Sequence, residues 1–343
     1  MDSRSRTSDR PSAIHAEERR ISVVVPTWNG GPRFRELLVA LASQNIEDGI
    51  ELLVVDSGST DGTVAAARAA GARVLEIPKD TFQHGRTRNL GISETSGEIV
   101  CLLTQDAIPI GPDYIANLVG PYRSANVDGV YARQYPRPDC DPILRERLRR
   151  WSASRDTPTL SVLAPGDPEA SRALFERLPP IERYLTSCFD DVASSVRRST
   201  WERIPYPERD FGEDVAWARE VLLAGGAIAF EPSAEVEHSH NLQLLREFRR
   251  LYMDHANLRE LFDLRTVPSW RAVRSGWRGQ VRVYRDLLDA QPLGPLERLR
   301  WRLVSLAHAF LEGAAQYLGA RDPAEIQASL LSRRLDRWVR ANA

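Results

Sequence analysis

Four short apolar runs, each stopped by small polar residues, constrain this chain more than anything else in it. They occupy residues 21–26, 50–55, 72–77 and 98–103, and stretches with helical spacing lie between them at 33–43, 62–70 and 87–95. Strands alternating with helices of about 10–15 residues form βαβ units and predict a parallel sheet. Right-handed crossovers then bring every strand's C-terminal end to one rim. Ligands of open α/β sheets bind at that rim. Pro26, Asp56 and Asp106 all fall there, and Asp106 closes the tripeptide Thr104, Gln105, Asp106 directly after the fourth run.

Length and composition set outer bounds. The 343 residues, 42% hydrophobic and 27% charged, suit one or two ordinary globular domains. A formal net charge of −1 conceals an asymmetry: residues 241–343 hold 18 arginines against 11 acidic residues. A basic C-terminal third beside an acidic body fits either an anionic partner or an arginine-rich solvated face. Lys79 is the only lysine, which rules out chemistry that needs any other. Cys101, Cys140 and Cys188 are scattered without CxxC spacing. They support neither a zinc site nor a disulfide framework, and a cytoplasmic setting fits. Residues 1–20 are polar, lack the apolar segment of a signal peptide, and are expected to form a flexible tail. The longest near-apolar stretch, 303–319, contains His308, Glu312 and Gln316, so any membrane role is expected to be peripheral.

Beyond Asp106 the pattern predicts a helix at 112–123 and a strand at 127–134. Residues 137–185 read as a partly helical insertion or mobile loop over the site. A strand at 191–196, a helical turn at 199–203 and a helix at 215–224 follow, the last opened by Gly212, Glu213 and Asp214. Two strands, 227–230 and 234–237, lead into His238, Ser239, His240 and Asn241. From 242 onward the chain reads as helical, broken at Pro268, Pro292, Pro295 and Pro323. The expected organisation is a tail (1–20), a catalytic domain (21–241) and a C-terminal helical region (242–343).

Several polar clusters invite chemistry. Asp56, followed by Ser57 and a Gly/Ser/Thr-rich turn, can accept hydrogen bonds from a base or ribose, or simply cap the turn. His84, Gly85, Arg86, Thr87, Arg88 and Asn89 open a helix. There the planar fork of Arg88 suits a diphosphate, and a solvated arginine pair is the plainer alternative. Asp106 suits a divalent cation, or caps a strand end. Glu213 and Asp214 at a helix N-terminus either compensate the dipole or supply a general base. His238 and His240 share one face of an extended segment and suit a metal or diphosphate contact, His240 the weaker of the two, with structural histidines as the alternative.

Taken in order, Pro-Thr-Trp-Asn (26–29), Val-Val-Asp-Ser-Gly-Ser-Thr-Asp-Gly-Thr (54–63), the His-Gly-x-Thr-Arg-Asn segment, Leu-Thr-Gln-Asp-Ala (103–107), Gly-Glu-Asp (212–214) and His-Ser-His-Asn (238–241) resemble a family-2 glycosyltransferase of GT-A fold. The resemblance spans roughly residues 21–242 and is nearest to bacterial rhamnosyltransferases. It implies a Rossmann-like nucleotide-sugar domain with a mostly parallel sheet. It also implies inverting hexosyl transfer aided by Mg2+ or Mn2+, from a dTDP- or UDP-linked donor to a glycan or lipid-linked acceptor in cell-envelope polysaccharide synthesis. Rhamnose from dTDP-rhamnose is the leading expectation, with another UDP- or GDP-sugar as the alternative. Residue by residue, it assigns Pro26, Thr27 and Asp56 to the nucleoside and Arg88 to the diphosphate region, and it places Asn29, Ser57, His84, Gly85, Asn89, Thr104 and Gln105 also among the nucleotide-sugar contacts. Asp106 becomes the metal ligand with His238 as a second contact, and Asp214 the base with Glu213 beside it. Thr104 stands where most relatives carry a first carboxylate, which leaves strict metal dependence open.

Two other classes compete. A sugar nucleotidyltransferase would need a Gly-rich first loop and phosphate-binding lysines, which this chain lacks. A non-catalytic scaffold rests on Thr104 alone. The arginine-rich C-terminal helices carry Trp270, Trp277 and Trp301. They are open to three readings: a peripheral contact with the inner face of the cell membrane, a homodimer interface, or a lid on the acceptor. No nucleic-acid partner is expected.

Overall fold

The computed structural model describes residues 21–341 apart from positions 125, 210 and 242. The expected N-terminal tail lies outside the described residues. Among the described residues nine strands form one sheet: β1 (Ile21–Thr27), β2 (Glu51–Asp56), β3 (Arg73–Glu76), β4 (Ile99–Leu103), β5 (Ile108–Pro109), β6 (Gly129–Tyr135), β7 (Thr159–Val162), β8 (Ala193–Arg197) and β9 (Ala227–Glu237). Their order is β3-β2-β1-β4-β8-β6-β9-β5, with β7 also paired to β9.

The first half is parallel, as the βαβ pattern requires. Beyond β4 the sheet is mixed. β8 runs antiparallel to both β4 and β6, and β6 is parallel to β9. This reversal decides what reaches the rim. Because β8 runs backwards, its N-terminal approach, Asp190 and Asp191, arrives beside the C-terminal end of β4, where the Thr104 amide donates to the Val192 carbonyl at 3.0 Å. The C-terminal ends of β6 and β9 point the same way and add Gln134 and His238.

Successive residues of β1 serve opposite faces of the sheet. Val23 and Val25 pack with Phe34, Leu37, Ile115 and Leu118 on one side. Val24 packs with Leu53, Ile92, Tyr206 and Trp217 on the other. The helix His84–Ser93 lies so close to β1 that a Cβ on Gly91 would stand 2.3 Å from Val24 Cγ1. The two strands expected over 227–237 form one continuous strand, with a register shift opposite Ala132 and Arg133. Residues 137–185, expected as an insertion or mobile loop, fold into helices Pro142–Arg149, Pro168–Arg177 and Pro180–Thr186 as well as β7. β7 is short and mostly half-buried at an edge, so it carries almost no alternating signal.

Helices Leu244–Phe262, Trp270–Asp289, Pro295–Gly319 and Leu330–Arg340 make up most of the C-terminal region. The first, third and fourth share a core of Phe248, Leu251, Tyr252, Ala314, Ala315 and Val339, while Trp270–Asp289 packs through Tyr284 against Ile143 and Ala309. Helix Leu244–Phe262 also grips the catalytic part. Glu247 pairs with Arg147, and Asn257 sits where a Cβ on Gly212 would stand, 2.0 Å away from its Nδ2. Among the described residues no helix is long and apolar enough to cross a membrane.

Candidate active site

On the β1–β2 side the rim is occupied by a self-contained turn. Asp56 is 1% exposed. Its Oδ1 accepts from the amides of Gly58 (3.0 Å) and Ser59 (2.8 Å), and its Oδ2 from the hydroxyls of Thr27 (3.0 Å) and Ser59 (2.5 Å). Those four donors fill a carboxylate's roughly four lone-pair sites. Asp56, expected on a base or ribose, is therefore the hub of the turn, and a ligand would have to displace one of these donors. Ser57 donates its amide and its hydroxyl to the Thr27 carbonyl. Asn29, at φ 46°, accepts from the Thr60 amide. Pro26 lies in register with Val55. Gln105 is likewise engaged: its Oε1 accepts from the Trp28 amide at 2.9 Å and its Nε2 donates to the Trp28 carbonyl at 3.2 Å, clipping the ends of β1 and β4 together. Trp28 stays 45% exposed, with the Lys79 ammonium 3.7 Å from its ring centroid. That exposed aromatic face was not singled out in the sequence.

Arg88 is a correction to expectation. Its guanidinium does not face outward for a diphosphate. It is buried, with Nε 3.2 Å from Asp191 Oδ2 and Nη1 on Glu213 Oε1. Burial alone would lower its pKa; Asp191 and Glu213 more than reverse that. Asn89 is similarly committed: its Nδ2 donates to the Tyr206 carbonyl, and its Oδ1 accepts from Trp201 Nε1 and the Tyr206 amide. Gly85 admits the backbone of the following loop, since a Cβ there would lie 2.3 Å from the Pro207 carbonyl oxygen. His84 is exposed at the head of this helix. Glu213, expected beside the base, is buried with its carboxylate paired to Arg88 Nη1.

Asp214 remains available. It is half-buried, accepting from the Val215 amide at 2.7 Å and, at 3.4 Å, from the Asp191 amide. Burial, then the neighbouring Glu213, Asp191 and Asp190, push its carboxyl well above the usual range. Burial also raises Asp191, to about 6, against the pull of Arg88. The αL conformation of Gly212, φ 69°, starts the helix that presents Asp214.

The second cluster gathers at the ends of β4, β6 and β9. Asp106, His238 and His240 each offer a ligand atom, all within 4.8 Å of one another. His238 Nε2 lies 3.7 Å from Asp106 Oδ1, and His240 Nδ1 lies 3.9 Å from Asp106 Oδ2. Gln134 Oε1 meets His238 Nδ1 at 3.2 Å, while its Nε2 donates to Asp190 Oδ2 at 2.7 Å. A continuous polar line therefore runs from Asp106 through His238 and Gln134 to Asp190, next in sequence to Asp191. Burial would raise Asp106, but His238, His240 and Arg137 hold it below the ordinary range. Burial lowers both histidines, His240 to about 4 with His238 adding to the effect. The Thr104 hydroxyl is buried with no partner among the described residues.

Sequence reasoning passed over Arg137, Gln134, Asp190 and Asp191; His240, ranked there below His238, lies in the same cluster. Two adjacent carboxylates ahead of a strand were a readable signal. Gln134 lies near the C-terminal end of β6 and Arg137 just beyond it, and the rim position of that strand depends on β8 running backwards.

The profile of glycosyl transferase family 2 matches residues 22–204. The chain belongs to that family. It is similar to the O-antigen chain rhamnosyltransferase RfbN of Salmonella typhimurium, 32% identical over 237 residues that cover 68% of this chain and 70% of that protein. WbaN of Salmonella anatum, also an O-antigen chain rhamnosyltransferase, is 29% identical over 235 residues, 67% of this chain and 70% of that one. Among solved structures, glucosyl-3-phosphoglycerate synthase from Mycobacterium tuberculosis, in complex with Mn2+, UDP and phosphoglyceric acid, aligns with a TM-score of 0.51 at 23% identity, over 71% of this chain and 78% of that one. The family-2 glycosyltransferase described here thus has the GT-A fold, followed by a helical C-terminal region.

The histidine shifts make a direct prediction. An imidazole held near 4 in the folded protein but free to titrate at its ordinary value near 6.5 when unfolded takes up its proton first in the unfolded chain. Stability carried by neutral His240 is therefore present above about pH 6.5 and lost as pH falls toward 4. Imidazole NMR at pH 5 should find His240 still neutral; a midpoint near 6.5 would contradict the burial argument.

Proposed function

We propose that this enzyme transfers rhamnose from a dTDP-linked donor, with inversion, to a hydroxyl of a glycan or lipid-linked acceptor, using Asp214 as general base. The carrying observation is Asp214 itself. Among the described residues it has no ion pair, it is half-buried on the ligand rim, and burial together with its neighbours makes it unusually basic. A base is most effective when its pKa lies near the working pH. Rhamnosyl transfer is supported by the similarity to O-antigen rhamnosyltransferases over two thirds of the chain.

Asp106, His238 and His240 fit a divalent cation: one anionic oxygen and two neutral imidazoles converge within ligand range. Two imidazoles weigh toward Mn2+ over Mg2+, a hard cation that seeks oxygen. A bound cation there would offset negative charge gathering on the departing diphosphate. The protein's own groups do the rest. Asp214 takes the acceptor proton, while Arg88 holds Glu213 and Asp191 so that the Asp214 carboxylate keeps its aim. Arg246 and Arg250, from helix Leu244–Phe262, add positive charge beside His240 and His238.

The peripheral membrane reading finds support on helix Pro295–Gly319. Leu296, Leu299, Leu303, Leu306 and Phe310 form an exposed stripe at alternating three- and four-residue spacing. The exposed Arg300 and Arg302 flank this stripe. The Trp277 indole joins it by donating to the Leu306 carbonyl at 2.9 Å. An apolar stripe edged with arginine suits an anionic bilayer surface, where a lipid-linked acceptor resides.

Asp214→Asn should lower kcat by about 10²–10⁴-fold while leaving dTDP binding intact; near wild-type turnover would dismiss Asp214 as the base. Asp106→Ala should abolish any Mn2+-dependent gain in dTDP affinity measured by calorimetry, and an unchanged gain would remove Asp106 from the metal site. The double variant Leu299→Glu/Leu303→Glu should reduce flotation with phosphatidylglycerol vesicles. Equal flotation of variant and wild type would discard this stripe as the membrane contact.

A further inference from the structure

Arg137 stands against the same carboxylate that the proposed cation would use. Its Nη2 donates to Asp106 Oδ2 at 2.9 Å and to the Asp106 carbonyl at 3.2 Å. Oδ2 is also the oxygen that faces His240 Nδ1. The backbone of Arg137 is pinned, its amide donating to Ser239 Oγ at 3.1 Å, between the two histidines in sequence. Its side chain is less firmly held. It is only 12% exposed, yet its Nε is buried without a hydrogen-bond partner among the described residues. A guanidinium with an unused buried donor gains by turning to an acceptor that satisfies more of its fork.

Charge settles which acceptor that is. The charged groups that bear on the two imidazoles are Asp106 and Asp190 on the negative side and Arg137, Arg246 and Arg250 on the positive. Arg250 is already paired with Glu247 and Asp254, while the Arg137 guanidinium puts a positive charge directly on the carboxylate of the pocket. Adding a dication to it, beside an arginine sharing the same carboxylate oxygen, is unfavourable unless anionic charge arrives as well. A diphosphate brings that charge, and its oxygens match a guanidinium fork.

We propose that Arg137 competes with the divalent cation for Asp106, so that metal enters tightly only together with the donor diphosphate, to which the guanidinium then turns. This rests on the metal reading of Asp106, His238 and His240. It adds to that reading an obligatory coupling between metal and donor, set by one residue. The alternative geometry keeps Arg137 on Asp106 as an outer support that orients the carboxylate toward the metal. The two predict opposite signs.

The test is Mn2+ binding to the full chain, followed by calorimetry or by the EPR signal of free Mn2+, with MnCl2 alone and then with saturating dTDP. In Arg137→Gln, Mn2+ alone should bind about tenfold or more tighter than in wild type, because one positive charge beside the dication is gone. Arg137→Lys keeps the charge and should stay near wild type, which controls for disturbed folding. By reciprocity the factor by which Mn2+ improves dTDP affinity should shrink in Arg137→Gln. Unchanged or weaker Mn2+ binding in Arg137→Gln overturns the competition and leaves Arg137 as an outer support. Absence of Mn2+ binding in wild type and both variants, even with dTDP, overturns the metal site and this inference with it.

Discussion

One buried guanidinium holds the catalytic half of this enzyme in register. Arg88 joins the helix His84–Ser93, the segment ahead of β8 through Asp191, and the helix Glu213–Leu223 through Glu213. Asp191 and Glu213 lie more than a hundred residues beyond Arg88 in sequence. Removing one member of such a buried pair leaves an uncompensated charge and typically costs about 3–5 kcal/mol. The same helix face supports the link a second time, because Asn89 reads the Tyr206 backbone in both directions and Gly85 lets Pro207 approach. The loop so fixed leads directly to Asp214. The basicity of Asp214 is a by-product of this architecture: burial and the nearby carboxylates Glu213, Asp191 and Asp190 all favour its protonated form, against the pull of Arg88.

The second organising constraint is the reversal of β8. With β8 antiparallel to β4 and β6, the approach to β8 and the exits of β4, β6 and β9 meet on one edge. Asp106, Gln134, Asp190 and His238 then fall into a line of polar contacts. The C-terminal helices complete this edge. Helix Leu244–Phe262 contributes Arg246 and Arg250 to the electrostatics of the histidines and wedges Asn257 against Gly212. The helical region is thus part of the construction of the site as well as a surface beyond it.

Much of this was legible in the chain. The apolar runs of β1, β2 and β4 are buried along most of their length, so composition alone marks them. Asp106 and His238 were readable because each directly follows a strand. The turn of Asp56 was readable as a turn, though its saturation by Thr27, Gly58 and Ser59 was not. β7 escaped notice because it is only four residues long, with Leu160 exposed and the rest half-buried, too short a run to establish a period.

Residue order by itself determined the alternation of strand and helix, the polar ends gathered on one rim, and membership of the glycosyltransferase family, since these follow from local periodicity and motif order. Only the tertiary structure decided which polar side chains remain free to meet a ligand. Arg88, Asn89, Asp56 and Gln105 are consumed by partners; Asp214, His238 and His240 are left able to act. Hydrogen-bond saturation and ion pairing depend on groups brought together from distant parts of the chain. A side chain's chemistry can be read in sequence, but its availability is set by what the fold places against it.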